Sequence, residues 1–168
     1  MGILIVMLLL MTGPFLIAQS ASSLTGRQFN TQGAAAIGLG ILFVFTGIGH
    51  FLQTDEMASM LPEWVPGRVP LVYLTGVLEF AIAAGFFSSV TRQVTGWVAA
   101  VMLLLFFPAN VYAAFNHAPM GGHAWGPIYL LVRTPVQLAI ILWIYWFTIR
   151  QTNETRHRSR VRPTQRSL

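Results

Sequence analysis

Several stretches of this chain stay apolar for the roughly 20 residues that a helix needs to cross bilayer hydrocarbon. Nothing else in the sequence narrows the possible folds as far. In lipid every backbone N–H and C=O must be paired inside the protein, and an isolated run of this length meets that demand as an α-helix. Four core helices are expected, at about Gly33–Leu52, Leu71–Ser89, Val94–Asn116 and Trp125–Phe147, with a fifth apolar stretch, Gly2–Ala18, before them. Composition agrees, with 55% hydrophobic and 9% charged residues; a soluble domain carries about 25% charged. Connections such as Val90–Gln93 are short, which makes consecutive helices antiparallel neighbours. The expected fold is an all-α integral membrane protein, an antiparallel four-helix transmembrane bundle with an additional N-terminal hydrophobic helix. Residues 1–32 would hold that helix and a linker, 33–149 the bundle, and 150–168 a basic tail.

Charge sets the expected orientation in the cell membrane. All ten basic residues are Arg, and six lie between Arg150 and Arg166. A polybasic segment directly after a span reads as a cytoplasmic anchor on anionic lipid, so the bilayer and not nucleic acid is the expected partner. Alternation then puts Arg27 and Arg92 on the cytoplasmic side and Arg68 outside. The first helix resembles a signal peptide, with Ala18-Gln19-Ser20 as a cleavage site, but lacks a basic leading region. Cleavage ahead of four spans would also strand the Arg tail outside. An uncleaved helix with its N-terminus outside is therefore expected. Between the first two core helices, Met57, Met60, Leu61, Trp64 and Val65 alternate with Asp55, Glu56 and Glu63. That pattern suggests a short amphipathic turn at the outer interface, compatible with a lid over a site.

Glu79 falls midway along one of the spans. An ionisable group at that depth costs roughly 2.5 to 3.5 kcal/mol even on permissive scales, so it needs a partner and a reason. Helical spacing offers candidates. Ala36, Gly40, Phe43, Gly47 and His50 share one face of the first core helix, whose small residues allow close helix approach. Tyr73, Gly76, Glu79 and Phe80 form a stripe on the second. Asn110 aligns with Phe106, Ala113 and His117 on the third, and Tyr129, Arg133 and Gln137 recur every four residues on the fourth. Pro108 and Pro135 lie inside their helices, where each frees a carbonyl that must face protein or a wet cavity. A polar pocket opening toward the outer leaflet is expected, with Glu79 and His50 as proton-exchanging groups and Arg133, Asn110, Gln137 and Tyr73 as ligand contacts. Arg133 suits a carbonyl, a quinone oxygen or a small anion, or else forms a purely architectural pair with Glu79.

Other chemistries have less support. Cysteine is absent, which excludes disulfides, thiol catalysis and cysteine-ligated metals. His117, Met120 and His123 have no specific ligand spacing and read as surface residues of a Gly-rich loop, so no metal is expected. No P-loop, dinucleotide fingerprint or hydrolase motif occurs.

Together the motifs resemble the DoxX-like family of small membrane proteins. The matching pieces are Thr46-Gly-Ile-Gly-His50-Phe51, Leu61-Pro-Glu-Trp-Val-Pro66, Leu71-Val-Tyr-Leu-Thr-Gly76-Val-Leu-Glu79, Phe107-Pro108-Ala109-Asn110-Val111-Tyr112 and Arg133-Thr-Pro135-Val-Gln137. The resemblance covers about Gly33–Phe147 and implies a four-helix membrane protein; the name-giving members are small subunits of a thiosulfate:quinone oxidoreductase. A quinone-linked redox subunit is thus expected, with a quinone as cofactor and a redox partner protein, or a second copy, as partner. No cofactor-attachment motif is visible, so electrons would come from elsewhere. The alternative is a noncatalytic membrane scaffold or assembly factor, for which the glycine-rich helix is suited. Solute transport ranks behind both, because so few spans leave little room for alternating access.

Overall fold

A computed structural model describes residues 2–150 of the chain. The basic tail expected after Arg150 lies outside the described residues. Those residues form helices α1 (Gly2–Thr25), α2 (Thr31–Leu52), α3 (Thr54–Ser59), α4 (Arg68–Phe87), α5 (Arg92–Phe115) and α6 (Leu130–Ile144), with no strand among them. A 3-10 stretch, His123–Tyr129, leads into α6, and wide π-type turns, Tyr145–Arg150, extend it. Five helices are long and apolar enough to cross a membrane, the last counted over His123–Arg150.

Local chemistry accounts for the element boundaries. Asn30 caps α2, its side chain accepting from the Gly33 N–H at 2.8 Å. Pro70 sits in the first turn of α4, where a missing N–H costs nothing. The last long helix begins later than its apolar run implies, because Gly126 adopts φ 74°, ψ −158° and breaks helical geometry ahead of Pro127.

Glycines set the helix contacts. On one side of α2, Gly38 lies against the Met11 carbonyl of α1, leaving no room for a side chain. On another side, Gly40 receives the Phe87 ring and Gly47 the Phe80 ring, while Gly76 of α4 receives His50 and Phe51. Residue numbers rise along α2 as they fall along α4, so this pair runs antiparallel. Gly85 meets Thr95 across the α4–α5 turn, and Gly96 of α5 meets Thr148 beyond α6. Leu39, Phe43, Phe86, Ala99 and Ile144 fill the resulting core. The outer surface is apolar as well: Leu74, Leu105, Leu131 and Leu142 are all exposed. So much exposed apolar surface agrees with five helices long and apolar enough to cross a membrane.

Candidate functional site

At the end of the fold where α3 and the 116–130 connection close over the long helices lies a cavity of about 540 Å³. Its walls are mostly apolar. Leu42, Phe43 and Phe106 line it, Met57, Met60 and Leu61 of the α3 region cover it, and Ile3 and Met7 bring in α1. The short amphipathic turn expected from the sequence therefore contributes directly to the site. Among these walls stand His50, Thr75, Glu79, Asn110, His123, Tyr129 and Arg133.

Glu79 is 4% exposed, and its Oε1 lies 3.5 Å from His50 Nε2. The other ring nitrogen fixes the tautomer. His50 Nδ1 is 3.1 Å from the Val72 carbonyl, which can only accept, so Nδ1 carries a proton. The Thr75 hydroxyl lies 3.0 Å from the same nitrogen and donates its own proton to Val72 at 2.8 Å, so its oxygen accepts from the ring. A neutral ring then presents a bare Nε2 to Glu79. One further proton, if present, is held between imidazole and carboxyl. The carboxyl and the imidazole thus meet in a mostly apolar setting.

Arg133 does not close onto Glu79. Its guanidinium lies within electrostatic range of both the Tyr129 hydroxyl and the carboxylate, while the close contact to Glu79, at 3.5 Å, is made by His50. Asn110 lies one turn after Phe106 and donates Nδ2 to that residue's carbonyl at 2.9 Å. Five buried side-chain polar atoms have no hydrogen-bond partner among the described residues: Glu79 Oε2, Asn110 Oδ1, His123 Nε2, Arg133 Nε and Trp143 Nε1. The first four belong to cavity-lining side chains. Only the Trp143 indole lies elsewhere, packed with Phe15 and Phe147.

The structure thus brings together four of the six residues expected at a site: His50, Glu79, Asn110 and Arg133. It separates the other two. Tyr73 is 43% exposed and lies against the Phe51 ring, outside the cavity. Helix geometry explains why, since six residues at about 100° each carry Tyr73 roughly 120° around α4 from Glu79. Gln137 is buried, but its amide donates to the Leu103 carbonyl of α5 at 2.7 Å and ties the two helices together. It does not line the cavity.

His123 corrects the expectation of a surface loop. It is 3% exposed, its ring edge meets Tyr129 at 4.8 Å between centroids, and Nδ1 lies 2.7 Å from the Met120 carbonyl. Gly121 (φ 62°) and Gly122 (φ 100°) turn the chain back on itself and tuck the ring inside. The Gly-Gly pair directly before His123 was the available signal. His117, by contrast, is exposed, so the two histidines do not share a surface.

Fold and site together define a class: an all-helical chain with five helices of membrane-crossing length and a polar cavity at one end. The chain belongs to the family described as a domain of unknown function (DUF8561), whose model matches residues 39–148. That match takes in most of α2 and all the cavity's polar side chains, and leaves α1 outside. No curated protein matches the chain. No solved structure matches it either.

Proposed function

We propose that the chain is a multi-pass membrane protein in which α2, α4, α5 and the final helix form an antiparallel transmembrane bundle flanked by α1. In this reading the cavity binds a quinone-like small organic molecule as part of a quinone-linked redox system. One observation carries it: four buried polar atoms without partners surround a single apolar-walled cavity. Each such atom costs about 1–3 kcal/mol when left unpaired. A ring-shaped ligand with a few polar substituents suits a mostly apolar pocket with a few convergent polar groups. Glu79 and His50 would exchange its protons, Arg133 and Asn110 would orient it, and a partner protein would handle the electrons. The DoxX-like resemblance points the same way.

The competing reading, a noncatalytic scaffold, rests on the glycine-rich α2, which suits helix–helix packing, and on the lack of a complete catalytic set. Gly38, Gly40 and Gly47 are instead spent on contacts within the chain. Native mass spectrometry of gently extracted protein tests the choice. A bound quinone-sized molecule is expected, and protein that neither carries nor takes up quinones in any redox state would favour the scaffold. Quinone-linked turnover that persists unchanged in folded Glu79→Gln protein would remove Glu79 from the proton exchange.

The orientation proposed is N-terminus outside and Arg-rich tail cytoplasmic. Because the chain lacks cysteine, single cysteines introduced at Ser59 and Ser89 report on it cleanly. An impermeant thiol reagent applied from outside should label the first and spare the second. The reverse pattern would invert the topology.

A further inference from the structure

α4 and α5 leave their short turn as neighbours, and the seam between them changes character along its length. Near the turn it is shut: Gly85 has no room for a side chain against Thr95, and Ile82 and Met102 are buried further along. Leu71 lies fourteen residues before Gly85, and Ala109 fourteen after Thr95. At about 100° and 1.5 Å per residue, each stays within roughly 40° of the same seam, ~21 Å from that contact. There both residues line the cavity, together with Thr75 and Leu105. Leu105 is 71% exposed and Leu71 is 37% exposed, so the neighbouring helix does not cover them. A side chain that lines a cavity and also faces outward marks its mouth.

The mouth reaches hydrocarbon depth. Leu105 stands ten residues from the Phe115 end of α5, hence ~15 Å below it, about half the thickness of bilayer hydrocarbon. Beyond the helix ends the cavity is instead covered, by Met57, Met60 and Leu61 of the α3 region and by Met120 and His123. Just inside the mouth Thr75 reaches His50 Nδ1 at 3.0 Å, and Glu79 follows one turn further along α4. Resting on the readings of the chain as membrane-spanning and of the cavity as a quinone-type site, we infer that an aliphatic tail leaves the cavity here. The ligand is then a membrane-dissolved amphiphile, its ring beside His50 and Glu79 and its tail passing between Leu71 and Leu105 into lipid. Two leucines, an alanine and a threonine whose proton already goes to the Val72 carbonyl suit a hydrocarbon chain and offer a polar solute little. Such a ligand enters sideways from the bilayer and need not lift α3.

The full chain in lipid nanodiscs tests this with two probes of one head group. These are tetramethylquinone, and the same ring with one methyl replaced by a decyl chain carrying a photoactivatable diazirine near the ring. Illumination should crosslink that chain within 71–75 and 105–109, read by mass spectrometry of the digested protein. Only crosslinks that excess unlabelled decyl compound removes are counted, since lipid-dissolved probe also labels the outer surface. The double variant Leu71→Trp/Leu105→Trp narrows the mouth from exposed positions. It should weaken binding of the decyl compound at least about tenfold, through a clash that the short compound escapes. Undiminished binding of tetramethylquinone would report that the double variant is folded. A shallower exposed margin, formed by Ile3, Ile48 and Leu52, also borders the cavity. Competed crosslinks there and not at the α4–α5 seam overturn the inference and leave the quinone-type site standing. So does a double variant that affects both probes alike. Binding of neither probe to the unaltered protein removes the inference and the quinone-type site together.

Discussion

α2 and α4 meet in two different ways along a single contact. Around Gly40 and Gly47 the contact is closed: the Phe87 and Phe80 rings occupy the space that side chains would need, and Phe43 lies 5.7 Å from Phe86 between ring centroids. Near Gly76 the same two helices bring His50 and Glu79 together, and beyond them α5 and α6 stand back to leave a cavity. The closed half is apolar and well packed; the open half holds nearly all the unpaired buried polar atoms. Evolution rarely leaves such atoms where packing alone is at stake, because replacing them with apolar groups of the same shape can stabilise a fold. Under the proposed reading, the closed end carries stability and the open end carries binding.

The sharpest way to break that division is to damage the closed end. Gly38→Val would drive a branched side chain into the Met11 carbonyl, a backbone atom that cannot swing aside. A loss of about 3 kcal/mol is expected, at the upper end for overpacking, read as a lowered unfolding midpoint in detergent. Gly40→Ala should cost less, since its neighbour is the half-exposed Phe87 ring, which can rotate away. Equal losses at the two positions would mean that α1 is held loosely against α2.

Arg133 and Gln137 sharpen the comparison within one helix. Four residues apart on α6, they share a sequence pattern but not a role. Gln137→Leu would leave the Leu103 carbonyl unpaired and should cost about 1–3 kcal/mol with ligand binding retained. Arg133→Met removes a buried charge that makes no contact ion pair among the described residues, so no charged partner is stranded, and it should change stability by less than about 1 kcal/mol. Ligand binding should then be lost. If Arg133→Met instead unfolds the protein while Gln137→Leu abolishes binding, the roles are reversed.

These pairs also show how far the sequence could be read. The long apolar runs and the glycine face of α2 were legible because both follow helical periodicity, and the polar residues inside the runs were conspicuous by the cost of burying them. Gln137 was misassigned because spacing says which residues share a face but not which neighbour that face meets. Tyr73 was misassigned because its line along α4, through Gly76 to Phe80, drifts away from Glu79 around the helix. His123 was missed for a different reason. Its burial depends on two consecutive glycines with positive φ, a loop geometry to which hydrophobic periodicity is blind.

The smallest expected effect tests the tautomer of His50. Thr75→Val keeps the side chain's shape and removes the oxygen that accepts from Nδ1 at 3.0 Å. The Val72 carbonyl, 3.1 Å from the same nitrogen, remains and still demands a proton there. Nε2 therefore keeps its place and its lone pair toward Glu79. One shared hydrogen bond is lost, worth about 0.5–1.5 kcal/mol, and ligand affinity should hardly move. A large fall in affinity with stability preserved would mean that the Thr75 hydroxyl meets the ligand itself. The open end would then hold one more binding group than its unpaired atoms reveal.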